Sequence, residues 1–203
     1  MKKFNSFFAM LLAASALVGF SFTVVPNLAG NYSVNVAESN VEWKGYKVTG
    51  EHSGTINVKA GDLTFGSNGE LTGGNVTIDM ASIKCTDLEG EWADKLVGHL
   101  KSDDFFGVGN FPTAELVITK VAPKGTPGDY KVTGNLKIKE TTKEIRFYAH
   151  LDDAGNSVNA TADLKIDRTD FDVRYGSGSF FDNLGDKTIY DEFDLTVNLK
   201  VTK

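Results

Sequence analysis

The sequence has few of the residues and motifs that disulfide bonding and metal binding require. Its 203 residues include a single cysteine, Cys85, so no disulfide can form within the chain. The histidines are His52, His99 and His150, and they lack the paired spacing of a structural zinc site. We therefore expect a domain that is stabilised by its hydrophobic core, without a metal ion or a cofactor.

Motifs of nucleophilic catalysis and of phosphate binding are also missing. No G-x-S-x-G sequence occurs, and Cys85 has no histidine near it along the chain. The glycine-bearing residues 176–185 include no lysine and are followed by no amphipathic helix, both of which a phosphate loop would need. We predict no catalytic residue and a protein that is not an enzyme.

A cluster of basic residues is absent as well. The chain has 27 acidic residues against 21 lysines and arginines, a formal net charge of −6. Such a surface repels polyanions, because nucleic acids and anionic membranes are bound through clustered Lys and Arg. We therefore expect no nucleic-acid partner.

The N-terminus, in contrast, has the pattern of an export signal. Lys2 and Lys3 precede an uncharged apolar run, residues 7–20, which is shorter than the about 20 residues of a membrane span. We interpret residues 1–29 as a signal peptide that is cleaved between Ser21 and Ala29; an uncleaved anchor is the alternative. Cleavage would leave residues 30–203 as one exported domain without a stable membrane span.

The remaining chain has the alternation of half-buried antiparallel strands. Apolar residues recur at every second position in residues 144–151, 157–167 and 192–201. Weaker strand patterns occupy residues 40–49, 54–65, 75–80, 114–121 and 130–139, with turn-like sequences between them. About eight regularly spaced strands predict an all-β, antiparallel sandwich or closed barrel.

One segment departs from this period. Leu88, Trp92, Leu96 and Leu100 recur at every fourth position, and Asp87 is a suitable N-cap. We predict one helix inserted near residues 87–101, lying against the barrel.

Two adjacent acids follow this helix, in the sequence GHLKSDDFFGVGNFPTAEL. Asp103 and Asp104 cannot both face one scissile bond, because neighbouring side chains diverge on a strand or a helix. We interpret them as caps of a short helical turn. The phenylalanines that follow, Phe105, Phe106 and Phe111, lie outside clean strands. They either plug the barrel or border an apolar ligand pocket.

Several segments, in this order and spacing, resemble one known family. They are VEWKGYKVTGEHSGTINVKAGDL, IDMASIK, LVGHLKSDDFFGVGNFPTAEL, KVTGNLKIKETTKEIRF and LKIDRTDFDVRYG. Together they make residues 31–203 similar to the YceI-like family. The resemblance implies a lipocalin-like antiparallel barrel with a helix beside it. It also implies an exported bacterial protein that binds a long-chain isoprenoid, of polyprenol or quinone type, often as a homodimer.

Nine residues are predicted to form the apolar lining of such a site. Alternation assigns six to the inner face of the barrel, and three aromatic residues are assigned to its mouth. The inner residues are Ile145, Phe147, Leu164, Ile166, Leu195 and Val197, and the mouth residues are Trp43, Phe65 and Phe106.

Three functions remain open at this point. The first is an exported lipid-binding protein that transports, stores or sequesters an isoprenoid. The second is an enzyme with a site at the barrel mouth, for which Asp103, Asp104, His99 and Cys85 are the candidates. The third is an envelope stress or interaction protein with a packed barrel and no ligand.

Overall fold

The computed structural model describes residues 28–203. The predicted signal peptide lies outside the described residues, except for its last two positions. Its cleavage and the export of the protein therefore remain predictions. Within residues 28–203, no helix is long and apolar enough to cross a membrane.

The described chain forms nine strands and one α-helix. Every strand pairs with its neighbours in the antiparallel direction, as the alternating patterns predict. The elements are β1 (Gly30–Val34), β2 (Asn40–Lys47), β3 (Gly50–Phe65), β4 (Leu71–Cys85), α1 (Gly90–Lys101), β5 (Thr113–Pro123), β6 (Asp129–Ile138), β7 (Thr141–Asp153), β8 (Ser157–Asp167) and β9 (Ile189–Thr202).

The sheet closes into an eight-stranded barrel, because β3 pairs with both β2 and β4 while β2 pairs with β9. The additional strand, β1, does not widen the barrel. It pairs with the last residues of β3 and β9, through Tyr32 with Leu63 and Val34 with Val201. β2 pairs with other parts of the same two strands. β1 and β2 therefore share one strand position, and the predicted barrel of about eight strands is confirmed.

The core is densely packed at one end of the barrel. This end carries β1 and the turn between β3 and β4. Here Tyr32 meets Phe65 edge to face, with ring centroids 5.2 Å apart. Val158 and Val201 are fully buried at the same end. The long connections from β4 to β5 and from β8 to β9 lie at the opposite end, where the barrel is open.

The helix begins later than the pattern predicts. It starts at Gly90, and its N-cap is Glu89. Asp87 is therefore not the cap, and its carboxylate is bonded elsewhere, as described below. Gly90 has a φ of +58°, a left-handed conformation that glycine adopts at little cost. The stripe is also modified, because Leu96 and Leu100 face the barrel while Trp92 is 71% exposed.

The turn after the helix corrects the interpretation of the acid pair. The backbone N–H groups of Phe105 and Gly107 both donate to the carbonyl of Ser102. The carboxylate of Asp103 accepts instead from the side-chain amide of Asn110, at 3.4 Å. Within residues 28–203 neither Asp103 nor Asp104 accepts a hydrogen bond from a backbone N–H, so the capping role that we predicted for the two acids is wrong.

Candidate ligand-binding cavity

The barrel contains a cavity of about 560 Å³, open at the end that carries α1. This volume lies in the range of small-molecule binding sites, about 300–1,000 Å³. Every strand from β2 to β9 contributes inward side chains to the wall, and most of them are apolar. The wall thus follows from the alternation of the strands, which turns one face of the sheet to the inside.

Small side chains explain why the barrel is hollow. Ala149 on β7 is paired with Ala162 on β8, and Ala160 is paired with Leu151. All three alanines line the cavity. An alanine at an inward position leaves the space that a leucine or phenylalanine would fill.

Seven of the nine predicted site residues line the cavity. They are Trp43, Phe106, Ile145, Phe147, Leu164, Leu195 and Val197. Their contact with a ligand stays a prediction.

The other two, Phe65 and Ile166, lie elsewhere. Phe65 packs against Tyr32 at the closed end of the barrel, so its assignment to the mouth was wrong. Ile166 faces inward as predicted but is 3% exposed and packed within the core beside the cavity. Alternation identifies the face on which a residue lies, but it does not give the height of that residue along the barrel.

The mouth of the cavity is polar, in contrast to its interior. The start of β3, α1 and the connection from β8 to β9 surround it. The ring of His99 meets that of Tyr175 edge to face at 4.4 Å, which links α1 to this connection. Lys47, His52 and Lys187 also line the mouth. An amphiphile would therefore meet apolar walls inside and polar groups at the entrance.

A buried arginine holds one side of the mouth together. Arg168 follows β8 and begins a 3-10 helix, Arg168–Phe171. Its guanidinium group donates to the carbonyls of Val173 at 2.6 Å and of Ile189 and Tyr190 at 3.0 Å. It also lies over the ring of Phe105, 5.4 Å from the centroid. One side chain thus joins the connection, the start of β9 and the turn after α1.

A second polar cluster surrounds Asp87. One carboxylate oxygen is 2.8 Å from Nδ1 of His52. The other accepts from the backbone N–H of Ser53 at 2.9 Å and from the thiol of Cys85 at 3.1 Å. Burial alone would raise the pKa of Asp87, but the hydrogen bonds outweigh it and lower the pKa to about 2. Burial and the bond to this carboxylate raise the pKa of the Cys85 thiol, which therefore stays protonated and weakly nucleophilic.

The four side chains proposed for an enzyme do not form a joint site. Cys85 is bonded to Asp87, Asp103 is bonded to Asn110, and His99 packs against aromatic rings. No hydrogen bond joins any two of the four in residues 28–203. His52 and Asp87 were not among the candidates, because their contact joins residues that are 35 positions apart.

His150 lies on the outer face of the barrel, away from the cavity. Nδ1 is 2.6 Å from the carboxylate of Asp129, and Nε2 is 3.0 Å from that of Asp152. Within the described part of the chain, no group of three or more His, Cys, Asp or Glu side chains is arranged to hold a metal ion. His150 therefore has the environment of a solvent-facing residue, with both ring nitrogens close to carboxylates of the outer surface.

A pH titration should show this arrangement. The hydrogen bonds to Asp129 and Asp152 raise the pKa of His150 above its ordinary value of 6.5. A group whose pKa is raised by folding stabilises the fold below its unfolded pKa, and this contribution disappears as the pH rises through the folded pKa. We expect an NMR titration of the His150 ring to give a midpoint above 6.5. Asp129→Asn should lower it, and a midpoint that this substitution leaves unchanged would contradict the assignment.

The closed antiparallel barrel, its apolar cavity and its polar mouth define a lipocalin-like, ligand-binding barrel protein. The comparisons with known proteins agree with this class. The model of the YceI-like domain matches residues 32–201. The chain therefore belongs to the YceI-like family.

Curated relatives from several bacteria are similar to this chain. A UPF0312 protein of Pseudomonas paraeruginosa is 32% identical over 71% of this chain and 74% of its own length. One of Vibrio campbellii is 28% identical over 90% of this chain and 95% of its own length. One of Shewanella denitrificans is 46% identical over a shorter match, 26% of this chain and 27% of its own length.

Solved structures share the fold at low sequence identity. BcnA of Burkholderia cenocepacia superimposes with a TM-score of 0.68 at 24% identity, over 83% of this chain and 99% of its own. A polyisoprenoid-binding domain of Saccharophagus degradans has a TM-score of 0.62 at 14% identity, over 84% of this chain and 97% of its own. At this identity, the likeness supports the fold.

Proposed function

We propose that the protein binds a long-chain isoprenoid, of polyprenol or isoprenoid quinone type, and transports, stores or sequesters it without changing it chemically. The observation that carries this proposal is the apolar cavity inside the barrel, which opens at a polar mouth. The family membership supports it. The polyisoprenoid-binding domain with the same fold supports it as well.

The energetics of such binding need no charged anchor. Burial of one methylene group contributes about 0.8 kcal/mol. Some 15 buried carbons would contribute about 12 kcal/mol before the costs of association, which is sufficient for tight binding. This accounts for a binding protein whose sequence has no catalytic or metal-binding motif.

The cavity also distinguishes this function from the third alternative. A packed barrel that acts only through its surface would fill its interior with large side chains. The alanines at positions 149, 160 and 162 leave the interior open instead. We therefore favour the lipid-binding protein over the barrel without a ligand.

Extraction of the native protein tests the proposal. We expect protein purified gently from its own host to release an isoprenoid into organic solvent, identified by mass spectrometry. We also expect the delipidated protein to bind a C20 isoprenoid alcohol or an isoprenoid quinone saturably. Protein that releases no lipid and binds neither compound would refute the proposal.

Export to the periplasm and homodimer formation belong to the same proposal. Both follow from the N-terminal pattern and the family resemblance. Cell fractionation should place the mature protein outside the cytoplasm, and light scattering after gel filtration should give its mass in solution.

A further inference from the structure

His52 lines the cavity at its polar mouth. Its strand, β3, turns this side chain inward, as it does Ile56 four residues later, and both line the cavity. Nδ1 is held by the carboxylate of Asp87 at 2.8 Å. Among residues 28–203, no group is hydrogen bonded to Nε2. The ring is therefore fixed at one edge and available at the other.

The partner of Nδ1 determines what Nε2 can do. Asp87 is ionised at neutral pH, because the bonds from Ser53, His52 and Cys85 hold its pKa at about 2. An ionised carboxylate only accepts hydrogen bonds, so Nδ1 must carry the proton. In the neutral ring, Nε2 then has a lone pair and acts as an acceptor. Asp87 thus sets both the tautomer and the orientation of His52.

Open space lies on the neighbouring strand, opposite His52. His52 on β3 is paired with Gly45 on β2, and both residues lie on the inner face of the barrel. A Cβ added at Gly45 would meet no atom within 4 Å. The next inward residue of that strand is the large Trp43, whose indole N–H donates to the carbonyl of Lys84 at 3.2 Å. The wall therefore has a gap at Gly45, bordered by the fixed imidazole and a fixed indole.

We propose that the gap over Gly45 receives the polar head of the bound lipid, and that this head carries a hydroxyl group which donates to Nε2 of His52. The inference rests on the proposed function and narrows its ligand class. Isoprenoid alcohols have the hydroxyl donor that the site accepts. Oxidised quinones offer only carbonyl and ether oxygens, which cannot donate to the neutral ring.

The lysines at the mouth do not reverse this preference. Lys47 and Lys187 line the opening, but neither ammonium group has a hydrogen-bond partner in the described part of the chain. A hydrated ammonium group on a flexible chain sets no fixed direction. The imidazole of His52 is oriented before the ligand arrives, so it makes the distinction between heads.

Paired ligands test the inference. Binding of geranylgeraniol, a C20 isoprenoid alcohol, and of its methyl ether is measured at pH 8.5, above the range in which imidazoles usually take up a proton. The two ligands have the same tail, and the ether lacks only the donor. We expect the alcohol to bind on the order of fivefold more tightly, as one net hydrogen bond provides. A quinone with an isoprenoid tail should resemble the ether.

Two variants assign the preference to this site. His52→Leu should make the alcohol and the ether bind equally. Gly45→Val fills the gap and leaves Asp87, the partner of the imidazole, unchanged. It should weaken the binding of the alcohol more than the binding of the ether. His150→Leu on the outer face is the matched control and should keep the wild-type preference.

The outcomes separate this inference from the proposed function. Equal binding of both ligands to the wild type would overturn the inference and leave lipid binding intact. A preference for the alcohol that survives in His52→Leu would overturn it as well, whatever Gly45→Val shows. Binding of the quinone but of neither C20 ligand would overturn the inference alone. Failure to bind any of the three, by protein that also releases no lipid, would refute the proposed function and the inference with it.

Discussion

Replacing Arg168 by methionine should lower the free energy of unfolding by about 3–5 kcal/mol. This is the usual cost of removing one partner of a buried ion pair while the other partner stays in place. The side chain is 2% exposed and donates to three backbone carbonyls. Its guanidinium group also lies 3.4 Å from the carboxylate of Asp191. Methionine fills a similar volume but leaves these acceptors without donors, and each buried acceptor then loses its compensation for desolvation.

Urea unfolding, followed by tryptophan fluorescence, measures this effect. Arg146→Met is the matched control, because Arg146 is exposed and, among residues 28–203, hydrogen bonded only to Glu144, two residues before it. Its substitution should change stability by less than about 0.5 kcal/mol. Arg168→Lys should remain destabilised, since one ammonium group cannot reproduce the fork of donors. If Arg168→Met has the same urea midpoint of unfolding as the wild type, the hydrogen bonds of Arg168 do not stabilise the mouth of the barrel.

The regular strands could be predicted because their information is local. In an antiparallel barrel one face is dry and the other is wet, so every second residue of β7, β8 and β9 reports its own orientation. The one strand that the sequence patterns did not predict within residues 28–203, β1, has only five residues, GNYSV, of which two are buried. Two buried positions are too few to distinguish a period of two from chance. The helix was found for the opposite reason, because its stripe covers several turns.

The polar groups of the mouth could not be predicted, because each depends on a contact between distant segments. Asp87 was assigned to the helix as an N-cap on its local sequence, and the structure shows it bonded to His52 and Ser53 instead. Arg168 lies 21 and 22 positions from two of the carbonyls that it binds. Strand patterns reveal which face a residue occupies, but not which loop crosses above it. The contacts of Asp87 and Arg168 that hold the mouth of the cavity therefore become visible only in the folded chain.

The open interior is an intermediate case. The alternation in residues 144–151 and 157–167 places Ala149, Ala160 and Ala162 on the inner face, but it does not show that they leave a cavity. Their small size was the available signal. It becomes meaningful only once β7 and β8 are known to be neighbours in register, because then small residues lie opposite one another and form a single space.

Filling this cavity should have a large effect on the affinity for the lipid. Ala162→Phe should weaken the binding of a C20 isoprenoid alcohol by at least about 100-fold. Ala162 lines the cavity between Ala149 and Val197, its partners on the neighbouring strands. A phenyl ring there would occupy the space of several methylene groups of the ligand. Displacing four of them costs about 3 kcal/mol at 0.8 kcal/mol each, and 1.4 kcal/mol is a factor of ten in affinity.

The stability of this variant should fall little, because the ring enters open space rather than a filled core. Asn159→Phe places the same ring on the outer face of the same strand, so it should leave the affinity unchanged. Titration calorimetry with the alcohol compares the three proteins, and urea unfolding verifies that each is folded. Equal affinity of the folded Ala162→Phe protein and the wild type would mean that the lipid binds outside the barrel. A loss confined to Ala162→Phe would place the isoprenoid chain between β7, β8 and β9, which is where the alanines leave room for it.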